Sequence, residues 1–380
     1  MSLLIPTLLV VYSLLLLGYA VCLFVASTNF TKEQKEEDVS LDYSISFNIL
    51  IAARNEENSI QACLHSIIPL LADFPHAKVF VINDHSTDNT KVVVENMIHP
   101  RIHCLDLPYG REGKKQAITF GVEYVDSEII LMTDADCIVS VEWIHSILKA
   151  YHDQPKTVMT TGIVLPNRAT SFLEKFQFLD FAATMTMTHF GLQRNLFYLA
   201  NGANMSFSRQ AFLTVQGYRG NEDNLSGDDV FLSKKLSVLP NKNILFINNR
   251  EGLVYTEPES TWKDLWNQRV RWATKTKAYA NHYLVFFLGL SFFFALSLLL
   301  LLLGAVLLDV QYIIFFIFLF SMKETIDYFF LKSLCKYFNE EKANKYFIIS
   351  FSIYQIYILL MGIKALFPTN ISWKGRESKA

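Results

Sequence analysis

Residues 128–136 read Glu-Ile-Ile-Leu-Met-Thr-Asp-Ala-Asp, an apolar run that ends in two carboxylates and is the clearest indication of the fold. Its apolar run predicts a buried strand over Glu128–Thr133, and two carboxylates, Asp134 and Asp136, follow where the strand ends. Residues two apart in extended backbone point to the same side, so we expect both carboxylates to face one ligand. Paired carboxylate oxygens suit Mg²⁺ or Mn²⁺ held together with a phosphate group.

Apolar runs rich in β-branched residues alternate with helical patterns on both sides of this stretch. The further predicted strands are Ser46–Ala53, Lys78–Asn83 and Ile102–Leu105, and the predicted helices lie near Glu57–Leu71, Asn89–Met97, Lys114–Val125 and Glu142–Tyr151. Strands that alternate with helices are typical of a mainly parallel sheet. We therefore predict an α/β fold whose ligands bind outside the carboxyl ends of the strands.

Polar clusters follow two of these strands at the same predicted sheet edge. Ala53-Arg54-Asn55-Glu56-Glu57 follows the first strand, and Asp84-His85-Ser86-Thr87-Asp88 follows the second. The alternative interpretation is helix capping, with Ser86, Asp88 and Ser140 as N-caps. Capping uses one residue per cluster and leaves the second carboxylate of the Asp-Ala-Asp stretch unexplained. The phosphate-binding motifs of P-loop and dinucleotide enzymes do not occur in the sequence, so neither class is supported.

Three more polar motifs lie further along the chain. They are Asn201-Gly202-Ala203-Asn204, Gly227-Asp228-Asp229 and Gln268-Arg269-Val270-Arg271-Trp272. In a helix, Gln268, Arg271 and Trp272 share one face. Trp262 and Trp266 on the same predicted helix are typical of a helix that lies in a membrane interface, and a plain interfacial anchor is the alternative function.

The composition predicts a membrane protein, because 51% of the residues are hydrophobic and only 18% are charged, against roughly 25% charged in soluble domains. Residues 1–31 carry no charged side chain, and Leu3–Ala26 is long enough to cross a bilayer. A secretory signal peptide is the alternative, but the segment lacks a basic start and a small-residue cleavage site. Tyr283–Leu308 and Tyr346–Ile363 are two further uncharged segments.

A fourth apolar segment, Val310–Met322, is short and is followed at once by Lys323, Glu324 and Asp327. Ionisable groups are costly in lipid, so we expect these charges to lie at an interface or to face protein. Two topologies stay open. Either one C-terminal segment does not cross, with Val310–Met322 favoured by its length, or the basic tail lies outside the cell against the positive-inside tendency.

Charge and cysteine content argue against two further classes of protein. With 34 Lys and Arg against 36 Asp and Glu, the formal net charge is −2, which disfavours nucleic-acid binding. The five cysteines form no Cys-x-x-Cys pair and no Cys/His cluster. They indicate reduced thiols facing the cytoplasm, with neither a disulfide framework nor a zinc site.

Together the motifs resemble a family 2 glycosyltransferase of GT-A fold. The resemblance covers about residues 45–277 and rests on A-A-R-N-E-E, D-H-S-T-D, G-K-x-x-A, D-A-D, G-A-N, G-D-D and Q-x-x-R-W in the family's order. Each motif alone is weak, whereas the set is specific. The last motif, followed by apolar segments, resembles the membrane-embedded branch, which includes cellulose, hyaluronan and poly-N-acetylglucosamine synthases and ceramide glucosyltransferase-like enzymes.

The resemblance implies a GT-A nucleotide-sugar-binding domain with a mainly parallel sheet, flanked by N-terminal and C-terminal transmembrane helices. The expected boundaries are a transmembrane helix at 1–28, a charged linker at 29–44, the GT-A domain at 45–260, an amphipathic interfacial helix at 261–280, two to three membrane helices at 281–368 and a basic tail at 369–380.

The resemblance also implies a role for each matching residue. Asp229 is the catalytic base, Asp136 holds the divalent metal, Mg²⁺ or Mn²⁺, and Asp134 contacts the nucleotide sugar. The remaining substrate-binding residues are Ala53, Asn55, Glu57 and Asp84 in the nucleoside pocket, Lys114 near the diphosphate, Asn204 facing the donor sugar or acceptor, Asp228, and Gln268, Arg271 and Trp272 closing over the diphosphate and the acceptor end. Capping is the alternative role for Asp228, and a first-turn charge that complements the helix dipole is the alternative for Asp229.

The expected reaction is an inverting transfer of a hexose or N-acetylhexosamine from a nucleotide sugar, with UDP the expected nucleotide, to a membrane lipid or lipid-linked acceptor. A processive polysaccharide synthase acting on a glycan is the alternative. The short chain, the missing F-x-V-T-x-K segment and the tail Trp373-Lys374-Gly375-Arg376 favour the lipid acceptor. We expect an integral protein of the plasma membrane, or of the inner membrane in a bacterium, with its catalytic domain in the cytoplasm.

Two other classes of protein fit the sequence less well. A nucleotidyltransferase also pairs a nucleotide-binding sheet with acidic metal ligands, but it would lack Q-x-x-R-W and membrane spans. A catalytically inactive membrane scaffold would be expected to lose Asp136, Asp229 or Arg271, and all three are present.

Overall fold

The computed structural model describes residues 4–32, 45–221, 227–273, 281–365, 367, 370–373 and 376–379. Contacts within the chain divide it into two compact units. The sheet unit comprises residues 34–168, 191–281 and 367–380, and the helical unit comprises residues 1–33, 169–190 and 282–366. Each unit is described by itself.

The sheet unit alternates strands with short helices along most of its length. Its strands are β1 Phe47–Ala53, β2 Val79–Asn83, β3 Ile102–Asp106, β4 Ile129–Met132, β5 Cys137–Val139, β6 Thr157–Gly162, β7 Val164–Pro166, β8 Met205–Ser208, β9 Asn243–Ile247, β10 Val254–Thr256, β11 Asn370–Trp373 and β12 Arg376–Lys379. Its helices are α2 Ile60–Ile67, α3 Thr90–Glu95, α4 Lys114–Tyr124, α5 Trp143–Asp153, α7 Arg209–Thr214, α8 Asp228–Ser237 and α9 Trp262–Ala273, with a 3₁₀ segment at Ile68–Asp73.

A seven-stranded sheet in the order β3-β2-β1-β4-β8-β6-β9 forms the centre of this unit. The first four of these strands pair in parallel, and β8 runs antiparallel to both of its neighbours, β4 and β6. Ala53 lies opposite Asn83 at the ends of β1 and β2, so the loops that follow start side by side. The predicted α/β fold with a mainly parallel sheet is confirmed.

Burial of apolar side chains holds the helices against this sheet. Leu50, Ile82 and Met132 of the central strands are fully buried in one cluster with residues of α4 and β8. Gly121 of α4 marks a close approach, because a Cβ atom there would lie 2.8 Å from the side chain of Leu50. This packing fixes the start of α4 beside the strand ends where ligands of such sheets bind.

The helical unit consists of long apolar helices. They are α1 Leu4–Phe30, most of α6 Phe172–Gln193, α10 His282–Leu307, α11 Tyr312–Tyr337 and α12 Phe347–Lys364, with a 3₁₀ segment at Glu341–Tyr346. Among the described residues, three helical stretches are long and apolar enough to cross a membrane, namely Leu9–Phe30, His282–Leu307 and Glu341–Lys364. The predicted membrane segments at these three positions are therefore helical.

Two charged residues of α11, Lys323 and Asp327, face protein. Instead of ending near Met322, the helix continues through Lys323 and Asp327 to Tyr337. Both charged side chains are buried, and Tyr19 of α1 donates a hydrogen bond to Asp327 at 2.8 Å. The expectation that these two charges face protein or an interface is therefore confirmed. The helix is not among the three stretches of the described residues that are long and apolar enough to cross a membrane, and the expectation that this segment does not cross stays a prediction.

The predicted domain boundaries differ from the two units at one place. Residues 169–190, which the sequence assigns to the GT-A domain, group with the long apolar helices. Phe172 and Phe176 of α6 contact the rings of Tyr346 and Tyr354 in that unit. Of the predicted tail motif, Trp373 and Arg376 pair in a two-stranded hairpin, and residues 374–375 lie outside the described residues.

Candidate active site

The loops after β1 and β2 are joined by hydrogen bonds from side chains to the main chain. The guanidinium of Arg54 donates to the carbonyl oxygens of Asp84 at 2.8 Å and His85 at 3.2 Å. The side-chain oxygen of Asn55 accepts from the amide of Thr87 at 2.8 Å. Asn55 has a φ of 54°, a left-handed conformation that asparagine adopts more readily than most residues. The two loops therefore form one connected edge.

The other predicted nucleoside-pocket residues belong to the same edge. Glu57 accepts from the main-chain and side-chain nitrogens of Asn89 at 3.0 and 2.9 Å. Asp84 is buried, accepts from the amide of Gly113 at 3.0 Å, and donates its own amide to the carbonyl of Ala53 at 2.8 Å. The structure brings Ala53, Asn55, Glu57 and Asp84 together, and their contacts with a nucleoside stay a prediction.

Helix capping does not explain the polar clusters. The N-cap positions of α3, α5 and α8 are Asn89, Glu142 and Gly227. The capping alternatives for Ser86, Ser140 and Asp228 are therefore wrong. Asp88 does act as a cap, because its Oδ1 accepts from the amide of Thr90, the first residue of α3, at 3.0 Å.

Lys114 lies between two carboxylates that come from distant parts of the sequence. Its ammonium nitrogen is 2.5 Å from Oδ1 of Asp134 and 3.3 Å from Oδ2 of Asp228. Gly202 allows this approach, because a Cβ atom there would lie 2.9 Å from the Lys114 nitrogen and 3.8 Å from Cβ of Asp229. Residues from four sequence motifs thus meet at the ammonium group of Lys114.

The charges at this point are strongly coupled. Burial alone would lower the pKa of Lys114, but Asp134, Asp228 and Asp229 outweigh it and raise the pKa well above its usual value. Burial, reinforced by Asp228, likewise raises the pKa of Tyr218. The ammonium is therefore charged and the phenol neutral at physiological pH.

The Asp-Ala-Asp stretch offers a set of metal ligands. Carboxylate oxygens of Asp134 and Asp136 and the sulfur of Cys137 all lie within 4.8 Å of one another. Asp136 is exposed, and the buried thiol of Cys137 donates to its Oδ1 at 3.3 Å. Burial, with the charges of Asp136 and Asp134 added, raises the pKa of Cys137, so the thiol is protonated here. Two carboxylates at this spacing fit a divalent cation.

Asp229 lies in the first turn of α8 and remains partly exposed. Its Oδ1 accepts from the amide of Val230 at 2.8 Å. This contact agrees with the alternative of a first-turn charge. Asp229 lies beside the group formed by Lys114, Asp134 and Asp228, and unlike Asp229, Asp228 is buried there.

Asn204 does not lie where the sequence predicts. It is buried, its side-chain oxygen accepts from the indole of Trp143 at 3.0 Å, and its amide nitrogen donates to the carbonyl of Ile163 at 2.9 Å. A Cβ atom on Gly162 would lie 2.5 Å from that nitrogen. The side chain therefore joins structural elements and does not face the donor sugar or acceptor.

Helix α9 carries the Q-x-x-R-W residues. Burial lowers the pKa of Arg271, and nearby Asp134 and then Glu259 act against this effect, so the guanidinium lies within electrostatic range of the site. The guanidinium of Arg269 stacks on the ring of Trp272 at 4.2 Å. The amide nitrogen of Gln268 donates to Oε1 of Glu259 at 2.7 Å. Arg269 occupies a variable position of the motif and Glu259 lies outside it, so the resemblance gives neither residue a role.

Two further residues of the site also escape the sequence analysis. Cys137 directly follows Asp136, so the string Asp-Ala-Asp-Cys was a signal available in the sequence. Tyr218 gives no such signal, because it approaches Asp228 only through the fold. Its buried hydroxyl has no hydrogen-bond partner among the described residues.

Comparison with known proteins agrees with this geometry. Residues 48–213 match the family model for glycosyl transferase family 2. The chain is 26% identical over 232 residues to a poly-beta-1,6-N-acetyl-D-glucosamine synthase from Staphylococcus epidermidis, covering 60% of this chain and 53% of that protein. For the synthase of the same description from Staphylococcus aureus strain MSSA476, the identity is 24% over 255 residues, covering 64% and 59%. The chain thus spans about half the length of the curated relatives it matches.

A solved structure supports the fold. A mannosyltransferase from Pyrobaculum calidifontis, in complex with GDP-Man and Mn²⁺, aligns with a TM-score of 0.55 over 96% of this chain and 99% of its own, at 13% identity. At that identity the likeness concerns the fold alone. The protein carries a glycosyl transferase family 2 domain of GT-A fold, together with long apolar helices.

Proposed function

We propose that this protein is an inverting membrane glycosyltransferase. It transfers a hexose or N-acetylhexosamine from a nucleotide sugar, with UDP the expected nucleotide, to a membrane lipid or lipid-linked acceptor. The observation that carries the proposal is the contact of Lys114 with Asp134 and Asp228 beneath Gly202. Three motifs that are far apart in the sequence supply charged groups to one partly exposed point, and a fourth supplies the glycine that leaves room for them.

The proposed base is Asp229. The hydroxyl of the acceptor attacks the anomeric carbon of the donor, and its proton passes to a carboxylate oxygen of Asp229 as the bond to the diphosphate breaks. A single displacement inverts the anomeric centre, so an α-linked donor yields a β-glycoside. Asp229 suits this role because it is partly exposed, whereas Asp228 beside it is buried and pairs with Lys114.

The leaving nucleoside diphosphate needs positive charge. Lys114 and Arg271 supply it from the chain, and their charge-assisted hydrogen bonds would hold the diphosphate oxygens. Asp136 and Asp134, with Cys137 beside them, would hold a divalent cation, Mg²⁺ or Mn²⁺. Such a cation supplies Lewis-acid stabilisation of the departing phosphate when bound.

The nucleoside end of the donor would occupy the edge formed by Ala53, Asn55, Glu57 and Asp84. These side chains and the main-chain groups around them are already oriented by the hydrogen bonds between the loops. Trp272, oriented by Arg269, would close over the acceptor end. We propose that the catalytic domain lies on the cytoplasmic side of the membrane.

A processive polysaccharide synthase is the second candidate. It is favoured by the two staphylococcal relatives, which are poly-beta-1,6-N-acetyl-D-glucosamine synthases. Transfer of a single sugar to a lipid is favoured by the tail residues Trp373-Lys374-Gly375-Arg376, which resemble the tail of membrane glycosyltransferases that act on lipid acceptors. The two candidates share the site and differ in the product.

The test is a transfer assay on membranes that contain the full chain. Labelled UDP-glucose, UDP-N-acetylglucosamine and GDP-mannose are supplied with Mn²⁺ or Mg²⁺, and membranes with Asp229→Asn serve as the blank. Label extracted into organic solvent supports the lipid acceptor, and label in insoluble material of high mass supports the synthase. Incorporation that is equal in the blank, or absent with all donors, contradicts the proposed function.

A further inference from the structure

The carboxamide of Gln268 contacts Glu259 at one end, and its other end has no hydrogen-bond partner among the described residues. Its nitrogen donates to Oε1 of Glu259 at 2.7 Å. A carboxylate only accepts hydrogen bonds, so the NH₂ end must be the one that faces Glu259. Glu259 therefore fixes the orientation of this amide.

The opposite end of this amide is an acceptor. Oε1 of Gln268 is buried, and none of the donors in the described part of the chain lies within hydrogen-bond distance of it. A buried acceptor without a donor is unfavourable, so a ligand that brings a donor is stabilised here. Diphosphate oxygens are acceptors and cannot supply one, whereas a hydroxyl group can.

We propose that Glu259 is a positioning residue that turns the carbonyl oxygen of Gln268 toward a substrate hydroxyl group. The inference rests on the proposed function and deepens it. It assigns Gln268 to recognition of a hydroxyl and leaves the diphosphate to Lys114 and Arg271. The hydroxyl belongs to the donor sugar or to the acceptor, and both present the same chemistry to this oxygen.

The surroundings of Glu259 support its role. Glu259 is half-buried. Burial and then the charge of Asp264 raise the pKa of its carboxyl, while the nearby Arg271 and Arg269 act against this shift and favour the ionised form. An ionised carboxylate accepts without donating, so it holds the amide in one orientation. Gln268 lies one helical turn before Arg271, and the two side chains share a face of α9.

Glu257 provides a matched control. It lies two residues before Glu259, is exposed, and contacts Asn167 and Arg168, none of which belongs to the site. Glu257→Ala removes the same side chain from a neighbouring position without touching Gln268. Its binding and transfer should match the wild type.

The experiment measures binding and transfer on the purified full chain in detergent or nanodiscs. Equilibrium titrations compare UDP with UDP-glucose and UDP-N-acetylglucosamine, and GDP with GDP-mannose, for the wild type, Glu259→Ala, Glu259→Gln and Glu257→Ala. We expect Glu259→Ala to leave the Kd of the nucleoside diphosphate within about twofold, and to weaken nucleotide-sugar binding or transfer about five- to tenfold, as loss of one oriented hydrogen bond predicts.

The donor Kd and the transfer rate together show which substrate carries the hydroxyl. A weaker Kd for the nucleotide sugar assigns it to the donor, and a lower transfer rate at unchanged donor Kd assigns it to the acceptor. Glu259→Gln should retain most of the wild-type behaviour, because its side-chain oxygen accepts the same N–H. If Glu259→Ala does not fold, Gln268→Met, which removes the amide at similar volume, should show the same selective loss.

Three results would overturn the inference. Equal weakening of the nucleoside diphosphate and the nucleotide sugar assigns Gln268 to the diphosphate. Wild-type behaviour of both Glu259→Ala and Gln268→Met removes any role for the pair. A wild-type protein that binds none of these nucleotide sugars contradicts the proposed function and, with it, this assignment, whereas the first two results leave the proposed function standing.

Discussion

Two clusters built from the same side-chain chemistry serve different ends in this molecule. In the sheet unit, Lys114 pairs with Asp134, and these side chains are 21% and 35% exposed. In the helical unit, Lys323 pairs with Asp327, and these side chains are 6% and 12% exposed. Both pairs join a lysine to a carboxylate, so the difference lies in what surrounds each pair.

The cluster in the helical unit is closed. Tyr19 donates to Asp327 at 2.8 Å and accepts from Lys323 at 3.1 Å, and the ammonium lies 4.4 Å from the centre of the Tyr19 ring. Each of the three groups thus has its partners within the cluster. In an apolar surrounding such a set joins α1 to α11, because separating its members would leave charges without partners.

The cluster in the sheet unit is open. One ammonium is shared between Asp134 and Asp228, while Asp229 and Arg271 lie within electrostatic range. Asp134 and Asp229 are both partly exposed, so a ligand can reach this charged surface. A lysine–carboxylate pair that stays partly exposed thus fits a ligand site, whereas a buried pair closed by a third partner fits a structural clamp.

The largest effect on stability is expected from breaking the closed cluster. Lys323→Met leaves Asp327 buried without its cation, which should lower the free energy of unfolding by about 3–5 kcal/mol. Chemical denaturation of the full chain in detergent measures this change. Lys332→Met, on the exposed face of the same helix, should change it by less than about 0.5 kcal/mol.

A double variant sharpens this prediction. Lys323→Met with Asp327→Leu removes both charges and should recover most of the lost stability, because an apolar pair replaces the buried ions. If the double variant is as unstable as the single one, the cluster does not act as a clamp.

The open cluster should respond in binding. Lys114→Met removes a charged donor from the diphosphate, and we expect the affinity for the nucleoside diphosphate to fall about 10- to 100-fold, as for a hydrogen bond to a charged group. Its effect on stability should be smaller than that of Lys323→Met, because the pair is partly exposed. Isothermal titration of the purified protein measures the affinity.

The control for this variant is Lys91→Met. Lys91 forms an exposed pair with Asp106 in the same unit, so its loss should leave nucleotide affinity unchanged. Wild-type affinity in Lys114→Met would show that Lys114 is a structural partner of the two aspartates only.

The smallest expected effect is a pH dependence at Glu259. Burial raises the pKa of this carboxyl above its usual value, so the folded state holds its proton to a higher pH than the unfolded state. Between those two pKa values the unfolded state binds fewer protons, and stability falls as the pH rises. Melting curves measured from pH 4 upward should therefore show that the stability of Glu259→Gln increases relative to that of the wild type across this pH range. The stability of the control Glu257→Gln should depend on pH as that of the wild type does. If Glu259→Gln also follows the wild type, burial does not shift the ionisation of Glu259.

Much of the sheet unit could be predicted from the sequence, because its signals are local. The run 128–136 and the polar ends of β1 and β2 lie within single strands and their loops, and period and spacing reveal them. The sequence also predicts that Lys323 and Asp327 face protein or an interface, and both are buried, but it does not reveal what they contact. Their partner Tyr19 lies 308 residues from Asp327, a distance no local pattern spans.

The remaining errors and omissions also concern long-range contacts. Asn204 lies in a motif typical of a substrate site, but Trp143 and the carbonyl of Ile163 use its amide. The grouping of residues 169–190 with the apolar helices depends on ring contacts with partners far along the chain. Glu259 lies before α9 and accepts a hydrogen bond from Gln268 within that helix, a contact that no motif in the sequence indicates.

The most direct test of the account measures Asp229→Asn in transfer and in binding on one purified preparation. If Asp229 is the base, transfer falls about 10²- to 10⁴-fold, while the Kd of the nucleotide sugar stays close to that of the wild type. Asp126→Asn, at a fully exposed carboxylate, should retain both properties. Turnover by Asp229→Asn at a rate near that of the wild type would contradict the assignment of the base and the mechanism built on it.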